Sequence, residues 1–182
     1  SALNPRLHRE PGLWTGLGYL IWRRGAPSRV RRIWRSGTII RAWKAIGMSV
    51  QFVDTHYLLA LVNSSDKDHV AAIERSRGRV GRLVTTTWVL VEFADALSAM
   101  SSRIRAVRFI RGFEAEAFVE VVPPTRAQFQ QALDRFEQRP DKDWSLTDCL
   151  SFLLMEERGI TEALTADHHF EQAGYRALLR EA

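Results

Sequence analysis

Five short apolar runs limit what this chain can fold into. Residues 50–53 (VQFV), 83–86 (LVTT), 118–122, 160–165 and 175–179 each read as a strand. No Asn-Gly-type turn joins one run to the next, so nothing in the sequence signals a hairpin. The stretches between them carry helical spacing instead. Helices are expected over 55–62, 69–77, 87–100, 102–115, 125–138 and 145–158, with a helical turn over 168–172. Strands that alternate with helices pair in parallel, because a parallel connection needs a crossover. The expectation is one α/β domain with a helix-covered sheet. Its inward lines would be Val91, Ala94 and Leu97, then Ile104, Val107, Ile110 and Phe113, then Phe129, Ala132, Leu133 and Phe136. Gly159 is placed to end the helix that starts near Ser145.

Charge divides the chain unevenly. The net charge is +5, but residues 1–47 alone carry +9 and residues 48–182 carry −4. The first 47 residues also hold Trp14, Trp22, Trp34 and Trp43 among glycines and arginines. We therefore expect two parts: a basic Arg/Trp-rich extension over 1–47 and a compact domain over 48–182. The extension reads as a leader upstream of Met48, as an arm that grips RNA or a partner, or as a targeting segment. A uniformly basic nucleic-acid binder is excluded, because the domain itself is mildly acidic. The single cysteine, Cys149, excludes an intramolecular disulfide and a cysteine zinc cluster. It fits a reducing compartment. No apolar run reaches the roughly 18 residues of a membrane span.

Ligands of open parallel sheets bind beyond the carboxyl ends of the strands. Asp54 directly follows the first run, and Asp167 follows the fourth. Asp148 lies in the first turn of the 145–158 helix, and Glu92 in the second turn after residues 83–86. Each has an ordinary structural reading. Asp54 and Asp167 suit N-caps, and Asp148 completes a capping box with Ser145. Glu92 fits that reading least, since it interrupts an apolar stripe. Grouped carboxylates repel one another unless a cation neutralises them. Mg²⁺, or Mn²⁺ in its place, favours such oxygen donors and can activate water against a phosphodiester.

The segments VQFVDTHYLLALVN, TTTWVLVEFADAL, WSLTDCLSFLLMEERGI and ALTADHHFEQAGYRALL resemble PIN-domain proteins, and most of all the VapC-like ribonuclease toxins of type II toxin–antitoxin systems. The resemblance covers about residues 48–182. It implies a three-layer α/β/α fold with a central, mostly parallel sheet behind the basic extension. It also implies a cytoplasmic, divalent-metal-dependent endoribonuclease that forms homodimers and is blocked by a cognate antitoxin. The carried-over acids are Asp54, Glu92, Asp148 and Asp167. Asp54 and Asp148 would be direct metal ligands, with Glu92 and Asp167 completing the set directly or through water. Thr147 matches a hydroxyl found beside the third acid, and Asp143 reads as an accessory acid or a solvated loop charge.

His56 departs from the Asn or Ser common two residues after the first Asp. His169 matches a polar-His-Phe element and reads as packing or hydrogen bonding at the rim of the site. Cys149 reads as core. The ladder Arg103, Arg105, Arg108 and Arg111 would contact phosphate or antitoxin, or simply solvate its helix. Two other functions compete with the nuclease: a non-catalytic nucleic-acid or partner-binding module of the same fold, and a phosphatase on a similar sheet. The second Asp that a haloacid-dehalogenase-type phosphatase needs is missing from Asp54-Thr55-His56.

Overall fold

The computed structural model describes residues 47–77 and 81–180. The expectations for residues 1–46 lie outside the described residues. β1 (Ser49–Val53) leads through Asp54 into α1 (Thr55–Val62) and then α2 (His69–Ser76). β2 (Gly81–Thr86) runs straight into α3 (Thr87–Ala96), followed by α4 (Met100–Glu114) and β3 (Val119–Val122). The second half contributes α5 (Arg126–Gln138), α6 (Leu146–Arg158), β4 (Glu162–Leu164), α7 (His168–Gln172) and β5 (Arg176–Ala177).

The five strands pair in the order β3-β2-β1-β4-β5, and every pairing is parallel. The expected parallel α/β/α fold is therefore borne out. Chain order explains the layers. The chain steps outward from β1 to β2 to β3, then crosses back to place β4 on the other side of β1. α1 packs on α2 and α3, and α3 packs on α4; separately, α5 packs on α6, and α6 on α7. The strand order thus reverses between β1 and β4, and a crevice opens at such a switch point.

Burial of β1 follows its sequence. Phe52 and Val53 are fully buried, as are Leu83 and Leu164 on the flanking strands. Strands covered on both faces read as continuous apolar runs, which is why these were legible. On the α6 side an aromatic cluster fills the core. Phe152 meets Phe170 and Trp144 edge-on at 5.1 Å each and stacks on Tyr175 at 5.6 Å. Phe52 joins it from the sheet, 6.0 Å from Phe170. The Tyr175 hydroxyl donates to the Phe152 carbonyl at 3.1 Å, so its polar end is satisfied within the core.

Four helical expectations need correction. The helix expected over 87–100 stops at Ala96. The Ser102 hydroxyl donates to the Leu97 carbonyl at 2.9 Å, and Arg103 Nη2 donates to the Ser98 carbonyl at 2.8 Å. Side chains from the next helix thus satisfy the carbonyls of the break, with no Gly or Pro to announce it. α3 buries Val89, Leu90 and Phe93 and leaves Val91 exposed. α4 buries Ala106, Phe109 and Phe113 and exposes Ile104 and Val107. Both helices are apolar on more than one face, and the larger Phe rings decide which turns inward: Phe93 and Phe109 lie 5.0 Å apart. On α5 only Ala132 is fully buried, and Phe136 is exposed. Phe129 stacks on Trp88 at 5.6 Å instead of entering the central core.

Phe152 is fully buried at the centre of the aromatic cluster. Phe152→Ala is expected to destabilise the domain by about 3–5 kcal/mol, measured by urea unfolding. A loss below about 1 kcal/mol would show that the cluster is not the core of this half.

Candidate active site

Three of the four acids start helices. Asp54 is the N-cap of α1, accepting from the His56 N–H at 3.4 Å. Asp167 caps α7, accepting from the His169 N–H at 2.9 Å. Asp148 closes a capping box: its Oδ2 accepts from the Ser145 N–H at 2.7 Å, and its own N–H donates to Ser145 Oγ at 3.0 Å. The structural readings of these residues are therefore correct. They do not exhaust the residues, because a cap engages one carboxylate oxygen and leaves the other.

Two threonines, neither singled out in the sequence, organise the group. The buried Thr165 hydroxyl donates to Asp54 Oδ2 at 2.7 Å and accepts from the Asp167 N–H at 2.9 Å. One oxygen thereby ties the end of β1 to the loop after β4. The Thr55 hydroxyl donates to Glu92 Oε2 at 2.5 Å, which links the first turn of α1 to α3. Thr85 steadies the same edge from β2, donating to the Val53 carbonyl at 2.7 Å. The signal for these residues was weak. Each is a β-branched residue at a strand end or helix start, where Thr is common for its shape alone.

The electrostatics show that the acids share one neighbourhood. Burial drives the Asp54 pKa up to about 7; the Thr165 hydrogen bond opposes this, and the charges of Asp148 and Asp167 add to it. Burial also raises Glu92, with Thr55 opposing and Asp148 and Asp167 again adding. Asp148 is raised by burial against its Ser145 hydrogen bonds, with Asp167 raising it further and His169 lowering it. The charges of Asp148 and Asp167 thus act on both Asp54 and Glu92.

Other candidates sort differently. Thr147 sits half-buried beside Asp148, with its carbonyl accepting from the Ser151 hydroxyl at 2.8 Å. Asp143 is exposed on its loop. Cys149 is fully buried and its thiol is pushed up to about 11 by burial, so it belongs to the core. His56 turns to Asp68, with Nε2 2.7 Å from Oδ2. Two sets of donor atoms lie within 4.8 Å of one another among the described residues: Asp167 with His168 and His169, and His56 with Asp66 and Asp68. The four acids are spread more widely than this.

The reversed strand order, the parallel sheet and an acidic edge at the switch point define a PIN-like nuclease. The chain belongs to the PIN-domain family, whose profile matches residues 52–174. It is similar to the 23S rRNA-specific endonuclease VapC20 of Mycobacterium tuberculosis, known from strains H37Rv and CDC 1551. Identity is 27% over 124 residues, covering 68% of this chain and 94% of the relative. The crystal structure of Mycobacterium tuberculosis VapC20, described as a sarcin-ricin loop cleaving toxin, matches with a TM-score of 0.64. That match covers 70% of this chain and 96% of the other, at 27% identity. The resemblance to VapC-like PIN nucleases is borne out.

PIN nucleases depend in general on divalent metal, and the residues present fit one. The donor set is carboxylate oxygen. His169 Nδ1 also lies buried beside Asp148 and Asp167 without a hydrogen-bond partner.

A stability consequence follows from the raised Asp54 pKa. The folded state holds the Asp54 proton up to about pH 7, whereas the unfolded chain releases it near its ordinary value of 3.8. Between those values the folded state binds more protons, so its stability falls as pH rises and then levels off. In EDTA the protein should melt lower at pH 8 than at pH 5. Asp54→Asn should remove much of that slope and raise the melting temperature at pH 8. Calorimetry at the two pH values checks this; an unchanged slope in the variant would contradict it.

Proposed function

We propose that this chain is a metal-dependent endoribonuclease acting as the toxin of a toxin–antitoxin pair, with Asp54, Glu92, Asp148 and Asp167 as its metal-holding residues. The observation that carries the reading is the meeting of four carboxylates at the switch-point edge of a PIN-family sheet. Asp54 and Asp148, the most buried of the four, are the direct ligands in this reading, with Mg²⁺ the resident ion and Mn²⁺ able to replace it. The sarcin-ricin loop of 23S rRNA is the first substrate to test, because the similar VapC20 proteins carry that specificity in their names.

Hydrolysis of a phosphodiester needs a water aligned with the leaving oxygen and relief of charge on the phosphate. An ion held by these carboxylates would supply that relief and would make the water more acidic. The chain supplies alignment. Thr165 fixes the rotation of Asp54, Thr55 fixes Glu92, and the Ser145 N–H fixes one oxygen of Asp148. With those rotamers set, little reorganisation remains when substrate arrives. Burial of Asp54 and Asp148 lowers the local dielectric and strengthens their hold on a cation.

RNA needs positive charge on the way to this edge. Arg103, Arg105, Arg108 and Arg111 are all exposed on α4, a placement that supports phosphate contact. Met100, Ile104 and Val107 are exposed on the same helix, and Val91 on its neighbour α3. Exposed apolar groups on adjoining helices support a homodimer or antitoxin contact there. Among the described residues no helix is long and apolar enough to cross a membrane. We assign the protein to the cytoplasm, where its substrate lies, and take residues 48–182 as the nuclease domain.

Purified full-length chain with Mg²⁺ should cut a sarcin-ricin loop oligonucleotide or total ribosomal RNA at defined positions. Asp54→Asn and Asp148→Asn should each lower the rate about a hundredfold or more while circular dichroism shows the fold retained. Robust cleavage by both variants, or by wild type in EDTA, would overturn the assigned mechanism. RNA binding without turnover under Mg²⁺ and Mn²⁺ would favour a non-catalytic module.

A further inference from the structure

Asp167, His168 and His169 follow one another after β4, and their donor atoms all lie within 4.8 Å of each other. His168 Nδ1 and His169 Nδ1 each stand 3.4 Å from Asp167 Oδ1. His169 Nδ1 stands 3.4 Å from Asp148 Oδ2 as well. His169 Nδ1 is a buried atom that makes no hydrogen bond, and the two carboxylates are its ion-pair neighbours when the ring is protonated. A buried polar atom without a hydrogen bond calls for an explanation, which either protonation of the ring or a bound ion supplies. Atoms bound to one ion at about 2.1 Å stand about 3.0–3.4 Å apart, which is the spacing of this nitrogen from its two carboxylate neighbours.

The ring is not free to leave. The His169 N–H is committed to Asp167 Oδ1, and the next residue, Phe170, is fully buried against Phe52 and Phe152. The His169 side chain is 17% exposed and that of His168 55%, so His169 is the anchored nitrogen and His168 the outer one.

We propose that His169 Nδ1, flanked by His168, is a nitrogen ligand at the Asp148–Asp167 side of the acidic site and raises the site's affinity for Mn²⁺ when that ion takes the place of Mg²⁺. The inference rests on the metal-dependent reading above and adds a residue that raises its affinity for Mn²⁺. Mg²⁺ keeps oxygen ligands and gives up its waters reluctantly, whereas imidazole suits first-row transition ions. A nitrogen in the ligand set therefore gains affinity for Mn²⁺ and gains nothing for Mg²⁺.

The test is pulsed electron paramagnetic resonance on the full chain loaded with Mn²⁺, together with Mn²⁺ and Mg²⁺ titrations. Wild type should show ¹⁴N hyperfine coupling to the bound Mn²⁺. His169→Ala and His169→Gln should lose that coupling and about tenfold in Mn²⁺ affinity, with Mg²⁺ affinity held within about twofold. His168→Ala and His56→Ala should keep the His169 coupling. Mn²⁺ bound by wild type without nitrogen coupling, or coupling that survives in both His169 variants, would overturn the inference and leave the metal-dependent nuclease standing. Failure of wild type to bind either ion would overturn both. The wild-type spectrum needs no variant, so a folding defect in one of them does not rescue the idea.

Discussion

A carboxylate kept almost out of water is the constraint from which the rest of this architecture follows. Asp54 terminates a strand whose neighbours Phe52 and Val53 are fully buried, and only 5% of its surface reaches solvent. An ionised carboxylate there is costly without partners. The Thr165 hydroxyl is its nearest compensation, and that hydroxyl arrives only because β4 pairs in parallel beside β1. The reversal of strand order is thus more than topology. It brings the loop after β4, with Asp167 and His169, within reach of the residue that ends β1.

The site is economical in its materials because its members hold two positions at once. Asp54, Asp148 and Asp167 begin α1, α6 and α7 through one oxygen and leave the other outside the cap. Helix starts favour negative charge, so these acids sit where the backbone already stabilises them. That stabilisation offsets part of the repulsion among the carboxylates, and the threonine hydroxyls offset more. Glu92 is held differently. It lies mid-helix, and Thr55 reaches across from α1 to fix it.

Much of this was legible in the sequence. Strands buried on both faces write themselves as apolar runs, and N-capping acids announce helix starts, so the parallel sheet and the four acids could be read directly. The faces of α3 and α4 could not. Val91, Ile104 and Val107 repeat at helical spacing as well as Phe93, Phe109 and Phe113 do, and only the packing of ring on ring separates the two sets. The break at Leu97 was hidden for a related reason, since Ser102 and Arg103 cap it from outside the helix. Thr165 and Thr55 were silent because a hydroxyl's partner lies 111 and 37 residues away along the chain. His169 was visible as a residue but not as an orphaned nitrogen, a property that exists only after folding.

The double duty of the three aspartates bears on how a chain of this kind ages. A lineage that drifted from cutting RNA to merely holding it would still need a capping side chain at positions 54, 148 and 167, a need that Asn or Ser meets as well as Asp. Glu92 serves no backbone group. Once relieved of the chemical task proposed for it, it would be free to vary, along with the threonine that steadies it. Among descendants of this fold, a polar cap at those three positions therefore testifies only to a sound scaffold, and the glutamate is the better witness to a living enzyme.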